Sequence, residues 1–312
     1  MTVRSLSLSE AARDAAAHQH YPQSTLYMVA TPIGNLADIS LRAVHVLHLV
    51  DVVACEDTRH TGALLQSLGL HKPLLALHEH NELEASASVV ARLQAGERVA
   101  YVSDAGTPGV SDPGARLVET AQAAGLRCIP VPGASAVTAL LSVSGLVSSD
   151  PRQPAGRFVF MGFLPAKGAE RKREIQALAA EPRTIVLLEA PHRMAALTKE
   201  LAESLGERVI TVGRELTKQF EEIEPIQAAN LPQWLTANAQ RSRGEYALVI
   251  HPAEGSADED DQEATVSASA GRTLSLLLEQ LPLKSAVKLC AEITGESKNA
   301  LYDAALALKA QD

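Results

Sequence analysis

The sequence predicts an α/β protein: a mostly parallel, doubly wound sheet, a second α/β domain and a small helical domain at the C-terminus. From residue 26 onward, short aliphatic segments alternate with segments of helical spacing. Loops rich in Gly and Pro follow several of the aliphatic segments. The chain has 312 residues, of which 46% are hydrophobic and only 3% aromatic, so it is long enough for two aliphatic cores.

The first α/β domain is predicted over residues 25–145. Its strands are short aliphatic runs between turn residues, expected at 26–30, 51–57, 74–78, 98–104 and 127–131. Its helices have helical spacing and several end at a glycine, and they are expected at 41–50, 58–69, 82–95 and 115–124. An uncharged helix is expected to open at 132–136. The polar, Ala-rich residues 1–24 are expected to form a flexible tail.

The second α/β domain is predicted over residues 146–252, after a hinge at 146–157 that collects Pro, Ser and Asp. Its strands are expected at 158–164, 184–190, 208–215 and 245–252, and its helices at 168–180 and 194–205. Residues 253–270 read as an acidic linker, since six acidic residues lie between positions 254 and 263. Residues 271–312 are expected to form a helical extension of helix–turn–helix type.

Composition excludes several classes of protein. The formal net charge of −9 argues against non-specific binding to polyanions, but the acidic linker carries much of it, so a local basic patch can still meet nucleic acid. The three cysteines lie far apart and the histidines show no metal-ligand spacing, so neither disulfides nor a metal site is expected. The N-terminus lacks the apolar run of an export signal, and the longest uncharged stretch contains Pro and Gly. We therefore expect a cytoplasmic protein without a membrane span.

The densest motif is the loop 103–114, SDAGTPGVSDPG, directly after a predicted strand. Its glycines permit positive φ and close approach of a ligand, and its aspartates suit ribose hydroxyls or a cationic ligand. It has no Lys, which a phosphate-binding loop of GxxxxGK[ST] type requires. The loops 31–35 and 132–136 also follow strands, and neither contains the GxGxxG fingerprint. Three such loops at the carboxyl ends of strands predict a ligand site.

Charged residues at other strand ends are candidates for substrate contacts. Glu56 and Asp57 could orient a hydroxyl or could cap the following helix. In the second domain Lys167 and Arg171 make the loop ends locally basic, although residues 171–173 could equally be a solvated helix face. Arg193, Arg214 and Lys218 lie beside strand ends and are better candidates for phosphate contacts.

In their joint order, these motifs resemble the tetrapyrrole methylase superfamily of S-adenosylmethionine-dependent methyltransferases. Within it they are similar to the branch that methylates 16S rRNA at the 2′-oxygen of a cytidine. The resemblance runs from residue 26 to about residue 252, and that branch also has a C-terminal extension. It rests on the segments LYMVATPIGNLADIS, ACEDTRHTGALL, YVSDAGTPGVSDPGARLV, VPGASAVTALLSVSGL, FMGFLPAKG, LLEAPHR, GRELTKQFEE and GEYALVI.

The resemblance implies two α/β domains with S-adenosylmethionine in the cleft between them, and usually a homodimer. It implies 16S rRNA or the small ribosomal subunit as partner, and methylation in the decoding region. Carried over by position, the methyl donor would contact Pro32, Gly34, Asp104, Gly106, Thr107, Val110, Asp112, Ser135, Ala136, Phe163, Leu164, Glu189 and Ala247.

The chemistry suggests roles for the remaining candidates. The sulfonium donor is already activated, so positioning of the acceptor does much of the work. A ribose hydroxyl is a poor nucleophile and needs a base or a stabilising field. Glu56, Asp57 and Lys218 are the catalytic candidates, with Glu56 or Asp57 handling the hydroxyl and Lys218 also able to hold phosphate. RNA contacts are expected from Lys167, Arg171, Arg193 and Arg214, with help from the C-terminal helices.

Two other functions stay open at this point. One is C-methylation of a tetrapyrrole or corrin precursor, which needs no RNA-docking module. The other is a non-catalytic, RNA-binding role in ribosome assembly, against which the intact loops at 103–114 and 132–136 argue. An NAD- or nucleotide-dependent enzyme is disfavoured by the absence of both nucleotide-binding fingerprints.

Overall fold

The computed structural model describes residues 7–78, 80–146, 156–252, 266 and 268–309. The chain divides into two compact units, residues 1–253 and 254–312. The predicted hinge at 146–157 and the predicted acidic linker at 253–270 lie for the most part outside the described residues.

The first sheet of the larger unit has five parallel strands in the order β3-β2-β4-β1-β5. They are β1 (Thr25–Val29), β2 (Val52–Cys55), β3 (Leu74–Ala76), β4 (Arg98–Val102) and β5 (Arg127–Val131). The central strands β1, β2 and β4 are almost entirely buried, as expected for parallel strands that helices cover on both faces. The parallel sheet predicted from the alternation of strands and helices is confirmed.

Helices cover both faces of this sheet. They are α2 (Leu41–Leu49), α3 (Thr58–Ser67), α4 (Glu82–Gln94) and α5 (Gly114–Ala123). The next helix, α6 (Ala136–Val143), follows β5 and packs in a different core cluster. Successive strand residues point to opposite faces, so Leu26 and Tyr27 belong to two different core clusters. Tyr27 packs with residues of α2 and α3, and Leu26 packs with residues of α4 and α5.

The expectation of a flexible tail over residues 1–24 is wrong for one segment, which forms helix α1 (Leu8–Ala16). Ser7 and Glu10 form a capping box, in which the Glu10 N–H donates to Ser7 Oγ at 3.3 Å and the Ser7 N–H donates to Glu10 Oε2 at 2.8 Å. Ala12 and Ala16 are buried, and α1 packs against α2. The Ser-x-x-Glu pattern was the available signal for this helix.

The second sheet has five strands in the order β6-β7-β10-β8-β9, and only β6 and β7 are parallel. The strands are β6 (Phe158–Phe163), β7 (Thr184–Glu189), β8 (Val209–Arg214), β9 (Glu222–Gln227) and β10 (Tyr246–Ile250). Strand β9 was not predicted, because it is a polar edge strand that contains Pro225. The helices of this part are α7 (Gly168–Ala180), α8 (Pro191–Leu205) and α9 (Leu231–Ala237).

Helix α6 connects the two sheets of the larger unit. Its residues Val137 and Leu140 form a core cluster with Val186, Ala247 and Val249 of the second sheet. Gly213 in β8 permits this contact, since a Cβ at that position would lie 2.7 Å from Leu140 Cδ1. The start of α6 and the ends of the second sheet's strands therefore meet at one place.

The smaller unit consists of the helices α10 (Ala268–Leu278), α11 (Leu283–Thr294) and α12 (Lys298–Lys309). Its core includes Leu274, Val287, Cys290 and Leu301. Gly295 ends α11 in the left-handed conformation, at φ 76°. None of the described helices, in either unit, combines the length and apolar character that crossing a bilayer requires.

Candidate active site

A cavity of about 440 Å³ lies where loops of both sheets converge. Its volume is within the range of roughly 300–1,000 Å³ that is typical of small-molecule sites. The first sheet contributes residues that follow β1, β2, β4 and β5, and the second sheet contributes residues at the ends of β6, β7, β8 and β10. The wall is formed by Ile33, Glu56, Ser103, Asp104, Ala105, Gly106, Thr107, Val110, Ser111, Asp112, Ser135, Ala136, Val137, Phe163, Leu188, Glu189, Ala190, Pro191, Leu216, Glu245, Tyr246 and Ala247.

The three loops predicted to form a ligand site are bonded to one another. Thr31 and Gly106 exchange backbone hydrogen bonds, N to O, of 3.0 and 3.1 Å. The Thr107 hydroxyl donates to the Ala134 carbonyl at 3.1 Å. Gly106 has φ +85°, and a Cβ there would lie 3.1 Å from Ile33 Cγ2. Because β4, β1 and β5 are neighbours in the sheet, the loops that follow them form one continuous surface.

Asp112 organises the loop after β4. Its Oδ2 accepts a hydrogen bond from the Gly109 N–H at 2.7 Å, and its Oδ1 accepts from the Gly114 N–H at 2.8 Å and from the Tyr101 hydroxyl at 3.1 Å. Burial and, next, the Asp112 charge raise the pKa of Tyr101 far above its ordinary value. Tyr101 therefore stays protonated and remains a donor to Asp112 at every physiological pH.

Glu189, at the end of β7, brings a buried carboxylate to the wall. Its Oε1 accepts a hydrogen bond from the Ala190 N–H at 2.9 Å and lies 3.0 Å from Arg193 Nε. Arg193 also donates to the carbonyls of Leu164 and Pro165. The charge on Glu189 is thus compensated from behind the wall, and the same arginine joins the ends of β6 and β7.

The predicted RNA contacts of Arg171 and Arg214 are wrong, because both residues are buried, at 4% and 8% exposure. The Arg171 Nη2 lies 2.7 Å from Glu200 Oε2, and its Nη1 donates to the Pro165 carbonyl at 2.8 Å. Arg214 donates to two backbone carbonyls at 2.8 and 2.9 Å. Arg193 is also engaged in internal contacts. Of the cations predicted to bind RNA, Lys167 is the exposed one.

Of the two alternatives for Asp57, the structure shows the helix cap. Its Oδ1 accepts from the Arg59 N–H at 2.8 Å at the start of α3, and its Oδ2 pairs with the Arg59 guanidinium at 3.0 Å. The hydrogen bonds from Arg59 lower the pKa of Asp57 to about 2, which makes it a weak base. Asp57 does not line the cavity, whereas Glu56 does. The expectation that Asp57 handles a hydroxyl is therefore wrong.

Lys218 lies behind the wall and not in it. Its Nζ lies 2.8 Å from Glu215 Oε1 and 2.9 Å from Glu245 Oε2, and Glu245 lines the cavity. Burial alone would lower the pKa of Lys218, but these two carboxylates hold it above its ordinary value. Lys218 is therefore a paired cation, unsuited to act as a base.

Ten of the thirteen predicted donor contacts lie in the cavity wall, and Pro32, Gly34 and Leu164 do not. Leu164 is buried in the core of the second sheet, because it follows Phe163 and points to the opposite side. Between Pro32 and Gly34 it is Ile33 that lines the cavity. The sequence analysis also missed Glu245 and Tyr246, although both directly precede the predicted contact at Ala247.

Comparison with known proteins agrees with this architecture. The family described as Tetrapyrrole (Corrin/Porphyrin) Methylases matches residues 25–232, and a family described as RsmI C-terminal HTH domain matches residues 264–309. A protein of Pseudomonas aeruginosa named Ribosomal RNA small subunit methyltransferase I is 48% identical over 90% of this chain and 96% of its own length. A protein of the same name from Escherichia coli O157:H7 is 45% identical, over 91% of this chain and 95% of its own.

Solved structures share the fold of the larger unit. A diphthine synthase superposes with a TM-score of 0.55 at 17% identity, over 73% of this chain and 90% of its own. A cobalt precorrin-4 methyltransferase superposes with a TM-score of 0.53 at 18% identity, over 73% of this chain and 95% of its own. At these identities the likeness concerns the fold alone.

Proposed function

The chain belongs to the tetrapyrrole (corrin/porphyrin) methylase family, and we propose that it methylates the 2′-hydroxyl of a cytidine in 16S rRNA of the small ribosomal subunit. It is an S-adenosylmethionine-dependent methyltransferase, as its family and its relatives' names indicate. Those relatives act on small-subunit rRNA by name, and they match this chain over 90% and 91% of its length. The choice of a cytidine and of its 2′-oxygen is the finer part of the proposal.

The charge of the cavity wall is the observation that supports a sulfonium donor. The wall contains five acidic residues, Glu56, Asp104, Asp112, Glu189 and Glu245, and none of the described residues that form it is Lys, Arg or His. Carboxylates suit a sulfonium, an ammonium and ribose hydroxyls, whereas a nucleotide phosphate would meet repulsion. The positive φ of Gly106 leaves bare backbone at the wall, where a side chain would collide with Ile33. These residues fit S-adenosylmethionine.

We propose that S-adenosylmethionine binds to the wall residues that the family resemblance indicates. Asp104, Gly106, Thr107, Val110 and Asp112 would hold it from the loop after β4, and Ser135 and Ala136 from the start of α6. Phe163, Glu189 and Ala247 would hold it from the second sheet. When bound, the donor supplies an electrophilic methyl carbon. The chain's own task is to orient the acceptor and to receive its proton.

We propose that Glu56 is the base that accepts the proton of the ribose hydroxyl. Glu56 lines the cavity, and it follows β2, next to the loop after β4. A base must lie within hydrogen-bond reach of the proton that it takes, and Glu56 satisfies this requirement better than Asp57, which caps α3.

Three further features belong to the proposal. The C-terminal helices dock the RNA, which the match to a helix–turn–helix family supports. The enzyme works in the cytoplasm, where ribosomal subunits are assembled. It forms a homodimer, which light scattering of the purified protein would test.

The experiment uses purified protein, S-adenosylmethionine with a labelled methyl group, and, in parallel reactions, either a tetrapyrrole precursor or small subunits from cells that lack this protein. We expect label in 16S rRNA, at the ribose of one cytidine when mapped by mass spectrometry. Label in a tetrapyrrole and not in rRNA would refute the proposal in favour of C-methylation. Absence of donor binding by calorimetry would favour a non-catalytic RNA-binding protein.

Variants of two neighbouring residues test the assignment of the base. Glu56→Gln should lower kcat by about 10²–10⁴-fold while the donor Kd stays unchanged. The matched control is Asp57→Asn, which removes a carboxylate one residue away and should keep turnover. Full activity of Glu56→Gln would contradict the assignment.

A further inference from the structure

The loop between β8 and β9, residues 215–221, has an unusual backbone. Glu215 and Thr217 have positive φ, at 52° and 66°, although neither is glycine. Such residues persist only where surrounding contacts hold them, and they cluster at functional sites. The Glu215 N–H donates to the Glu245 carbonyl at 3.0 Å, and the Thr217 N–H donates to Glu221 Oε2 at 2.6 Å. The loop is therefore held in a strained conformation beside the cavity wall.

Lys218, in this loop, reaches across to the first sheet. A Cβ built on Gly34 would lie 2.9 Å from Lys218 Cε and closer still to its Cγ. The aliphatic stem of Lys218 therefore packs directly on the backbone of the loop after β1. Any side chain at position 34 would occupy the space through which Lys218 passes.

Glu215 fixes the other end of Lys218. Its Oε1 accepts from Lys218 Nζ at 2.8 Å and also from the Glu245 N–H at 2.9 Å. Gly244 has φ +92°, and a Cβ there would lie 2.6 Å from Glu215 Cγ. One carboxylate therefore positions both the Lys218 ammonium and the backbone of Glu245, whose side chain lines the cavity.

The negative charge of the cavity wall also affects the acceptor. Five acidic residues surround the cavity, so negative charge that develops on an acceptor oxygen meets like charge. The guanidiniums behind Glu189 are directed at carbonyls and carboxylates of the protein interior. The Lys218 ammonium, by contrast, contacts Oε2 of Glu245, and the Glu245 side chain is 72% exposed.

We infer that Glu215 is a positioning residue: together with the bare backbone of Gly34, it holds the Lys218 ammonium against Glu245, so that this cation compensates a carboxylate of the cavity wall and reduces the repulsion that negative charge on the acceptor hydroxyl would meet. The inference rests on the proposed function for the identity of the acceptor. In this role Glu215 and Gly34 act by positioning Lys218 and not by contacting the donor.

A double-variant experiment tests the link between Gly34 and Lys218. Gly34→Ala keeps every charge but displaces Lys218, so we expect kcat to fall by about a hundredfold while the donor Kd stays within twofold. In a Lys218→Met background the same change should have no further effect. The control Gly62→Ala, whose Cβ would meet only Leu74 Cδ1 at 3.7 Å, should behave as wild type. Wild-type kcat in Gly34→Ala, or an equal loss in both backgrounds, would overturn the inference.

A second measurement does not depend on turnover. The pKa of Lys218, followed by NMR of the labelled amine, should be lower in Glu215→Gln than in wild type, and the alkaline limb of the kcat–pH profile should move with it. Glu181→Gln, which removes a half-buried carboxylate paired with Arg183, should leave both unchanged. An unchanged pKa of Lys218 in Glu215→Gln would overturn the role of Glu215. Absence of methyl transfer to rRNA by the wild type would instead refute the proposed function, and the pKa would still decide whether Glu215 holds Lys218.

Discussion

Replacing Asp112 with alanine should weaken donor binding through loss of order in the loop after β4. The carboxylate accepts hydrogen bonds from the N–H groups of Gly109 and Gly114 and from the Tyr101 hydroxyl. Gly109 is exposed, so water can replace its lost bond at a cost of about 1 kcal/mol, whereas Gly114 is buried and its unpartnered N–H costs about 1–2 kcal/mol. Tyr101 is fully buried, and its unpartnered hydroxyl adds about 1–2 kcal/mol. The total is about 3–5 kcal/mol of unfolding free energy.

The same energy should appear in the affinity for S-adenosylmethionine. If binding must restore the order of the loop, about 3–5 kcal/mol corresponds to an increase of at least about a hundredfold in Kd. Urea denaturation measures the unfolding free energy, and isothermal titration calorimetry measures the Kd. Tyr101→Phe, which removes one of the three bonds, should raise the Kd by less than tenfold.

Asp51 provides the matched control. Its Oδ2 accepts from the Arg98 N–H at 2.7 Å, at the opposite end of β4 from Asp112. Asp51→Ala should therefore lower stability and leave the donor Kd unchanged. A wild-type Kd in Asp112→Ala, or equal weakening by the two variants, would refute the reasoning that Asp112 orders the site.

Other changes separate structural from binding roles. Arg171→Met should lower the free energy of unfolding by about 1–3 kcal/mol, measured in urea, because the Pro165 carbonyl and the Glu200 carboxylate lose this partner, while the folded variant binds RNA normally. Neighbouring arginines lower the pKa of Asp57 and of Glu181 to about 2, so their stabilisation is complete above about pH 4.5 and is lost as the pH falls toward 2. The double variant Asp57→Asn/Glu181→Gln should consequently show a shallower acid dependence of its urea midpoint. Deleting residues 264–312 should weaken RNA binding but not donor binding, and Lys167→Ala should lower the salt slope of RNA binding by about one. Equal RNA affinity after the deletion, or an unchanged salt slope, would contradict these docking roles.

Much of the fold and of the cavity wall could be predicted from the sequence, because the signals there are local. Parallel strands are continuous aliphatic runs, and Gly106 and Asp112 lie in one loop directly after such a run. Helix α1 and strand β9 were missed. The first depends on burial of two alanines against α2, and the second is a polar edge strand that pairs only with β8.

The roles of the charged side chains could not be predicted from the sequence in the same way. Whether an arginine meets solvent or is buried beside a carboxylate depends on residues far away in the chain, as Arg171 and Glu200 illustrate. Gly34 and Glu245 are likewise distant from Lys218 in sequence: the packing of the two sheets brings Gly34 to it, and the pairing of β8 with β10 brings Glu245. The sequence by itself determined which loop follows each strand and which residue types each loop contains. Tertiary structure decided which charges are paired, because pairing depends on distance and burial and not on order along the chain.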